Sequence, residues 1–125
     1  MATDRRASWL KGVLDLLVLS CLTEGESYGY EIARRLEEAG LGTIRGGTLY
    51  PVLNRLEEAG LLDAEFRAAE RGPGRRYYRL TDTGAGVLRE QGAAWADFHR
   101  LVGEHLAKGL PGESAEGPTG RGPTA

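Results

Sequence analysis

Residues 45–80 read RGGTLYPVLNRLEEAGLLDAEFRAAERGPGRRYYRL, and their pattern changes from helical to extended within this short stretch. In its first part, apolar side chains recur at the three- and four-residue spacing of an amphipathic helix: Leu49, Val52, Leu53 and Leu56. Pro51 is tolerated there because it lies near the first turn, where few amides need an intrahelical acceptor. Gly60 is a typical helix end. The pattern therefore predicts a helix that begins near Gly46 or Gly47 and ends before Gly60.

Two segments with strand-type residues follow this helix, one over 62–67 and one over 75–80. Gly72-Pro73-Gly74 lies between them and is a strong turn signal, so the two segments predict a β-hairpin. Five arginines but a single acid lie between Phe66 and Thr81, which gives this segment a charge of +4, whereas the whole chain has a net charge of −2. Since DNA binding needs a local basic patch rather than a basic chain, this asymmetry is the first functional indication.

The N-terminal sequence predicts two more helices. The first spans about 8–23 and is apolar on nearly every side, which indicates burial on more than one side. The second spans about 28–39, with Ser27 as its N-cap and Gly40 as its end. Three helices followed by a hairpin are the element order of a winged helix-turn-helix DNA-binding domain, which we expect over residues 8–81.

A long C-terminal helix is predicted from about Asp82 to Lys108, and Leu88, Trp95 and Val102 recur in it every seven residues. Such a repeat is typical of helices that pair along a seam, so we expect this helix to join two copies of the chain. The predicted fold class is mainly α with a small β-hairpin (α+β), a winged helix-turn-helix with a C-terminal dimerisation helix. The side chains expected at the dimer contact are Leu10, Leu14, Leu88, Trp95, Phe98, Val102 and Leu106.

Length and composition limit the remaining possibilities. The chain of 125 residues supports one domain of ordinary size, and it has no apolar run of membrane-spanning length. Cys21 is its single cysteine, which excludes an intrachain disulfide, and the first residues lack a signal-peptide pattern. We therefore expect a cytoplasmic protein. Residues 1–7 are predicted to be flexible, and residues 109–125 are predicted to form a disordered tail because they are almost devoid of apolar side chains.

The start of the helix near Gly46 carries a mixture of side chains suited to the DNA major groove. Arg45, Tyr50 and Asn54 are expected to reach bases or phosphates, and the paired glycines Gly46-Gly47 let the backbone approach a phosphate. Two alternatives remain open from the residues alone. Gly46-Gly47 is only a loop with Tyr50 half-buried in the core, or the arginines of the hairpin form a solvated edge strand.

Three segments resemble the PadR family of transcriptional regulators, namely YGYEI at 28–32, GTLYPVLNRLE at 47–57 and GRRYYRLT at 74–81. The resemblance spans roughly Leu10 to Leu106 in the same order, which makes it more specific than any single motif. It implies a homodimeric winged-helix repressor of the short branch with one C-terminal helix, commonly released from DNA by a small molecule. Together with the residues chosen above, the predicted DNA-binding set is Arg45, Gly47, Thr48, Tyr50, Asn54, Arg55, Arg75 and Arg76.

The family resemblance also implies a ligand site. Some short-branch members hold flat aromatic ligands between paired tryptophans at the dimer centre, and Trp95 occupies the matching place. Stacked aromatic faces bind planar, often cationic molecules. The residues expected to line such a site are Trp9, Leu16, Trp95, Phe98 and His99. The alternative is that Trp95 only anchors the dimer, as tryptophan commonly does at interfaces.

Other functional classes have little support in the sequence. It contains no glycine-rich phosphate loop and no nucleophile with an evident base, so we expect neither an enzyme nor a cofactor. His99 and His105 are six residues apart on one helix and face different sides, so we expect no metal site. The main alternative is a winged-helix module that binds protein instead of DNA. If Arg45 and the arginines of the hairpin face solvent together, DNA binding is favoured. If they form ion pairs with nearby acids, the protein-binding module is favoured; the acids concerned are Glu57, Glu58, Asp63 and Glu65.

Overall fold

The computed structural model describes residues 5–110 of the chain. The helices within these residues are α1 (Arg6–Lys11), α2 (Leu14–Cys21), α3 (Gly29–Glu38), α4 (Gly46–Glu58) and α5 (Asp82–Lys108). The strands are β1 (Ser27–Tyr28), β2 (Leu62–Arg67) and β3 (Arg75–Leu80). This order confirms the predicted mainly α architecture with a small antiparallel sheet. Among the described residues no helix is both long and apolar enough to cross a membrane.

The chain divides after Gln91 into two compact units, so that α5 contributes its first part to one unit and its remainder to the other. The predicted division after residue 81, between a DNA-binding domain and a dimerisation helix, stays a prediction. Residues 1–4 and 111–125 lie outside the described residues, and they include most of the predicted flexible start and of the predicted tail.

The single helix predicted over about 8–23 is wrong, because α1 and α2 are separate helices. The backbone N–H groups of Gly12 and Val13 bond to carbonyls only three residues back, and Val13 leaves the helical region at φ −127°. This tight turn ends α1 before α2 begins. The predicted flexible start over residues 1–7 stays a prediction, and α1 begins within it at Arg6.

The predicted hairpin is confirmed, and a third strand joins it. β2 pairs with β3 from Leu62 opposite Leu80 to Arg67 opposite Arg75, and β1 pairs along the other edge of β3. Ser27 therefore lies in β1 and not at the N-cap of α3, where Tyr28 takes its place. The buried Ser27 hydroxyl donates a hydrogen bond to the Glu31 side chain, whereas an N-cap hydroxyl would accept one from a backbone N–H. The sequence prediction missed β1 because two residues carry no periodicity.

Both helices that carry the heptapeptide RLEEAGL, at 35–41 and 55–61, end in the same way. Gly40 and Gly60 adopt left-handed φ values of 91° and 79°. The next residue donates its N–H to a carbonyl five residues back, Leu41 to Leu36 at 3.1 Å and Leu61 to Leu56 at 3.0 Å. These are Schellman helix ends, which explain the repeated sequence by shared capping chemistry.

The core lies between α2, α3, α4 and the sheet. Its buried apolar side chains are Leu14, Val18, Leu19, Leu22, Ile32, Leu36, Ile44, Leu49, Val52, Leu53, Leu56, Leu62 and Tyr78. Helix α4 contributes four of them from one face, so its position relative to the sheet is set by close packing. The rest of its surface is left for the site described next.

Candidate nucleic-acid interface

Helix α4 has one buried and one exposed face. Its buried side chains are Leu49, Val52, Leu53 and Leu56. At about 3.6 residues per turn, the face opposite them is centred on Gly47, Pro51 and Asn54, all of which are exposed. Gly46 and Gly47 form the first turn of α4, so the alternative of a loop at this place is wrong. The exposed face of α4 therefore begins at the helix N-terminus, as the sequence predicted.

Two side chains flank this face towards α2. Thr48 is exposed, and Arg55 donates a hydrogen bond of 2.6 Å to the carboxylate of Asp15 on α2. Both members of this ion pair are about half exposed, so water screens it and a phosphate can compete for the guanidinium. Arg55 thus lies at the border of the exposed face and is held towards α2.

Arg45 precedes α4 in extended backbone and is exposed. Its carbonyl accepts the N–H groups of Thr48 and Leu49, so it occupies the N-cap position of the helix. Within the described residues, no carboxylate lies within ion-pair distance of its guanidinium. Arg45 therefore offers an uncompensated positive charge at the helix end where anions are favoured.

The opposite flank of α4 faces α3 and the hairpin. Tyr50 is 46% exposed and lies beside a surface cavity of about 190 Å³. The residues that line this cavity are Tyr28, Gly29, Tyr30, Tyr50, Gly74, Arg75 and Arg76. The cavity thus brings together the start of α3, the start of α4 and the return strand of the hairpin. Tyr50 is packed on one side and open on the other. It is therefore half-buried, as one interpretation of the sequence has it, and still accessible for DNA contact, as the other has it.

The sequence prediction placed Tyr50, Arg75 and Arg76 at the interface but missed Tyr28, Gly29 and Tyr30. These three residues belong to the YGYEI segment at 28–32, one of the three segments that carry the family resemblance. What brings them to the hairpin is the pairing of Tyr28 with Tyr77 between β1 and β3. The YGYEI segment was the only signal for these residues in the sequence. Its position beside the hairpin could not be predicted because β1 was not recognised as a strand.

Arg75 and Arg76 have different surroundings. The Arg75 guanidinium lies over the Tyr28 ring, 4.3 Å from its centroid, and has no carboxylate partner among the described residues. Arg76 donates a hydrogen bond of 2.7 Å to Glu57 on α4, which raises the pKa of the Arg76 guanidinium. Both side chains are exposed. Glu57 competes with any other anion for the Arg76 guanidinium, whereas no carboxylate of residues 5–110 competes for Arg75.

The other arginines of the hairpin are mostly paired. Arg79 bonds Asp63 at 3.4 Å, and Arg67 bonds both Glu65 and Glu26. The hydrogen bond from Arg67 lowers the pKa of the Glu26 carboxyl. The Arg67 guanidinium also stacks on the Tyr77 ring, next to the loop end of the hairpin. The two hypotheses therefore each have support: the pairing of Arg76 and Arg79 with acids favours protein binding, whereas Arg45 and Arg75 have no carboxylate partner in residues 5–110, which favours DNA.

The residues expected at the dimer contact have different environments. Leu14 is 2% exposed and packs in the core of its own chain, so we leave it out of the proposed contact. Leu10 and Leu88 are partly buried against the same core. In the second unit, Trp95, Phe98, Val102 and Leu106 are between 39% and 64% exposed.

The residues expected to bind a ligand fall into both units. Trp9 is exposed and Leu16 packs against the core of the first unit. In the second unit, the His99 ring stacks on Trp95 with centroids 5.2 Å apart and planes 12° apart. That these side chains form one ligand site stays a prediction.

Chemistry other than binding has little support in residues 5–110. No three side chains of the metal-binding types come together there. Cys21 is half-buried, and desolvation raises the pKa of its thiol, so the reactive thiolate is disfavoured. Cys21 therefore behaves as a small core residue, and the exposed arginines and tyrosines remain the chemically notable surface.

A family model and a curated relative both match this chain to transcriptional regulators. Residues 18–90, more than half of the chain, match the model of the Transcriptional regulator PadR-like family. Transcriptional regulator Rv3488 of Mycobacterium tuberculosis is 35% identical over 92 residues, which are 74% of this chain and 84% of that protein.

Two solved structures show the same fold. A PadR family transcriptional regulator from Eggerthella lenta has 41% sequence identity and a TM-score of 0.72, covering 80% of this chain and 87% of that chain. A PadR-like transcriptional regulator from Bacillus cereus has 33% identity and a TM-score of 0.69, covering 85% of this chain and 99% of that chain. The residues matched by the family model include every residue that lines the cavity.

Proposed function

The chain belongs to the PadR-like family of transcriptional regulators, and from this membership we propose that it binds double-stranded DNA as a homodimer. The observation that carries the proposal is the exposed face of α4 beside Arg75 of the hairpin, which no carboxylate of the described part of the chain neutralises. An α-helix fits the major groove, and arginines on an adjacent hairpin suit the flanking phosphates. The chain is a transcriptional regulator by family, not an enzyme.

Within this proposal, residues of α4 and its N-cap have two roles, contact with bases and contact with backbone phosphates. Asn54 lies at the centre of the exposed face and is the side chain best placed to bond a base edge, since asparagine pairs with adenine. Arg45, Thr48 and Gly47 lie at the N-terminal end and suit backbone phosphates. Arg55 joins them if Asp15 releases it.

We expect Asn54→Ala to change which base is preferred at one position of each half-site. Loss of a paired side chain costs about 1–3 kcal/mol of discrimination at that base pair. Selection of bound sites from random DNA by the purified wild type and variant measures this directly. Ser20→Ala removes a polar group from the exposed end of α2 and should leave the selected sequences unchanged. An unaltered consensus for Asn54→Ala would show that α4 does not read bases through this residue.

The homodimer is proposed from the second unit. Its exposed apolar side chains, Trp95, Phe98, Val102 and Leu106, recur at helical spacing and form a stripe along α5. The opposite face is charged, with Arg100 bonded to both Asp97 and Glu104. A helix with one such stripe is stabilised when a second copy covers it. Two copies then present two α4 helices to a roughly palindromic site, about one helical turn apart.

We further propose that the protein is a repressor and that a planar aromatic effector binds near Trp95. The stacked His99 supports this, because it shows that the Trp95 ring accepts a flat partner. A regulator acts in the compartment that holds the DNA, so the proposed location is the cytoplasm.

Planar cationic dyes should quench the tryptophan fluorescence of the wild type if Trp95 stacks on them. Trp95→Ala should abolish this quenching, because the dye then loses the ring on which it stacks. Trp9→Phe keeps an aromatic ring at position 9 and should retain the quenching from Trp95. A broad panel of dyes that leaves the fluorescence unchanged would contradict the effector site and leave Trp95 as a dimer anchor.

A winged-helix module that binds protein is the second candidate. The ion pairs Arg76–Glu57 and Arg79–Asp63 favour it, since they reduce the positive charge of the hairpin. Both pairs are exposed, and exposed pairs contribute little to stability, so phosphates can replace the carboxylates at small cost. The salt dependence of binding separates the two candidates, because phosphate contacts make affinity fall steeply with salt.

A further inference from the structure

Gly29 and Tyr50 are in unusually close contact where α3 and α4 begin. A Cβ atom placed on Gly29 would lie 2.7 Å from Cζ and 2.8 Å from Cε1 of Tyr50, with the hydroxyl oxygen closer still. Real Cβ atoms essentially never approach this closely, and the atoms concerned belong to a rigid ring. A side chain at position 29 would therefore displace the Tyr50 ring.

The backbone does not explain why position 29 is glycine. The left-handed φ values of this chain belong to other glycines among the described residues, Gly25, Gly40, Gly42, Gly60 and Gly72. Gly29 lies in the first turn of α3, where glycine is a poor helix former compared with alanine. The structural reason for glycine at this position is thus the space that Tyr50 occupies.

Gly46 limits the ring from another direction. A Cβ atom placed on Gly46 would lie 3.4 Å from Cδ2 of Tyr50, which is close to ordinary van der Waals contact. Tyr50 therefore lies between two glycines, one from α3 and one from its own helix. This arrangement keeps the phenol at the edge of the cavity that Arg75 and Arg76 also line.

We propose that Gly29 is a positioning residue, which keeps the Tyr50 phenol in the cavity where its hydroxyl bonds a phosphodiester oxygen of the DNA backbone. The inference rests on the proposed DNA binding and adds to it a pair of residues that act as one unit. The cavity offers a phenol and guanidinium groups, which are hydrogen-bond donors suited to a phosphate. A methyl group on residue 29 would turn the phenol out of this position without touching any charge.

The test is a double-mutant cycle of wild type, Gly29→Ala, Tyr50→Ala and the double variant, with DNA affinity and thermal unfolding measured for each. We expect Gly29→Ala to weaken DNA binding about tenfold in the wild type but by less than about twofold when Tyr50 is already alanine. Tyr50→Phe should weaken binding with an unchanged melting temperature, since it removes only the hydroxyl. Gly86→Ala is the matched control, because its added methyl meets only the Arg89 side chain, at 3.9 Å.

Three results would overturn the inference. Gly29→Ala with full affinity would show that the position of Tyr50 is unimportant. An equal loss in both backgrounds would show that Gly29 acts independently of Tyr50. If Gly29→Ala does not fold, the double variant must regain a wild-type-like transition, because the space is then open, and failure to do so contradicts the steric argument.

A wild type that binds no DNA would instead contradict the proposed function, while the cycle of melting temperatures still reports whether Gly29 and Tyr50 are coupled.

Discussion

Replacing both Arg75 and Arg76 by alanine should weaken binding to specific and unrelated DNA by a similar factor, roughly tenfold at moderate salt. Contacts to phosphates position a protein on the duplex but carry no sequence information, so the loss should be uniform. The negative slope of log affinity against log salt also becomes shallower by about 0.9 for each lost phosphate contact. Loss of the pair should therefore make it shallower by about 2. Fluorescence anisotropy with one specific and one scrambled duplex at several salt concentrations measures both quantities.

The structure predicts an order within this pair. Arg75 has no carboxylate competitor among the described residues, whereas Glu57 competes with a phosphate for Arg76, so Arg75→Ala should cost more affinity than Arg76→Ala. Arg34→Ala is a suitable control, because it removes an exposed arginine of α3 that is paired with Glu38 and does not line the cavity. Full affinity of the double variant at moderate salt would refute the role of the hairpin. A wild type whose binding is insensitive to salt would favour the protein-binding module.

Placing two carboxylates on the apolar stripe of α5 should produce monomers with DNA affinity lowered by roughly a hundredfold or more. Phe98→Glu combined with Val102→Glu introduces the charges where the side chains are 60% and 39% exposed, so the isolated chain should still fold. In the dimer these carboxylates would be buried without partners, which is strongly unfavourable. A monomer engages one half-site and loses the effective concentration supplied by the second. Light scattering reports the mass, and anisotropy on a palindromic duplex reports the affinity.

Ala93→Glu is the matched control for the stripe. Ala93 is exposed on the charged side of α5, near Asp97 and Arg100 along the helix, so an added carboxylate there should leave the dimer and its affinity intact. Truncation after about Ala94 should reproduce the monomeric behaviour of the double variant. A wild type that is monomeric at assay concentrations, or a double variant that remains dimeric, would remove the basis of the two-helix docking proposal.

The chain's local chemistry was sufficient to predict several elements. The ends of α3 and α4 follow from Gly40 and Gly60, since a left-handed residue after a helix is a property of glycine itself. The hairpin follows from alternating strand residues around Gly72-Pro73-Gly74, and the burial of α4 follows from the spacing of its leucines. These features depend on residues within a few positions of one another, which is the range that backbone conformation and helix periodicity reach.

Only the tertiary structure decided which residues meet across the chain. The β1–β3 pairing, the bond from Arg55 to Asp15, the bond from Arg76 to Glu57 and the contact between Gly29 and Tyr50 join residues far apart in sequence. Each depends on how α3, α4 and the sheet pack around the core, and spacing along one element carries no information about that packing. The sequence by itself determined which helix is exposed and which hairpin is basic. The arrangement of charges and rings between them was determined by the packing of the core.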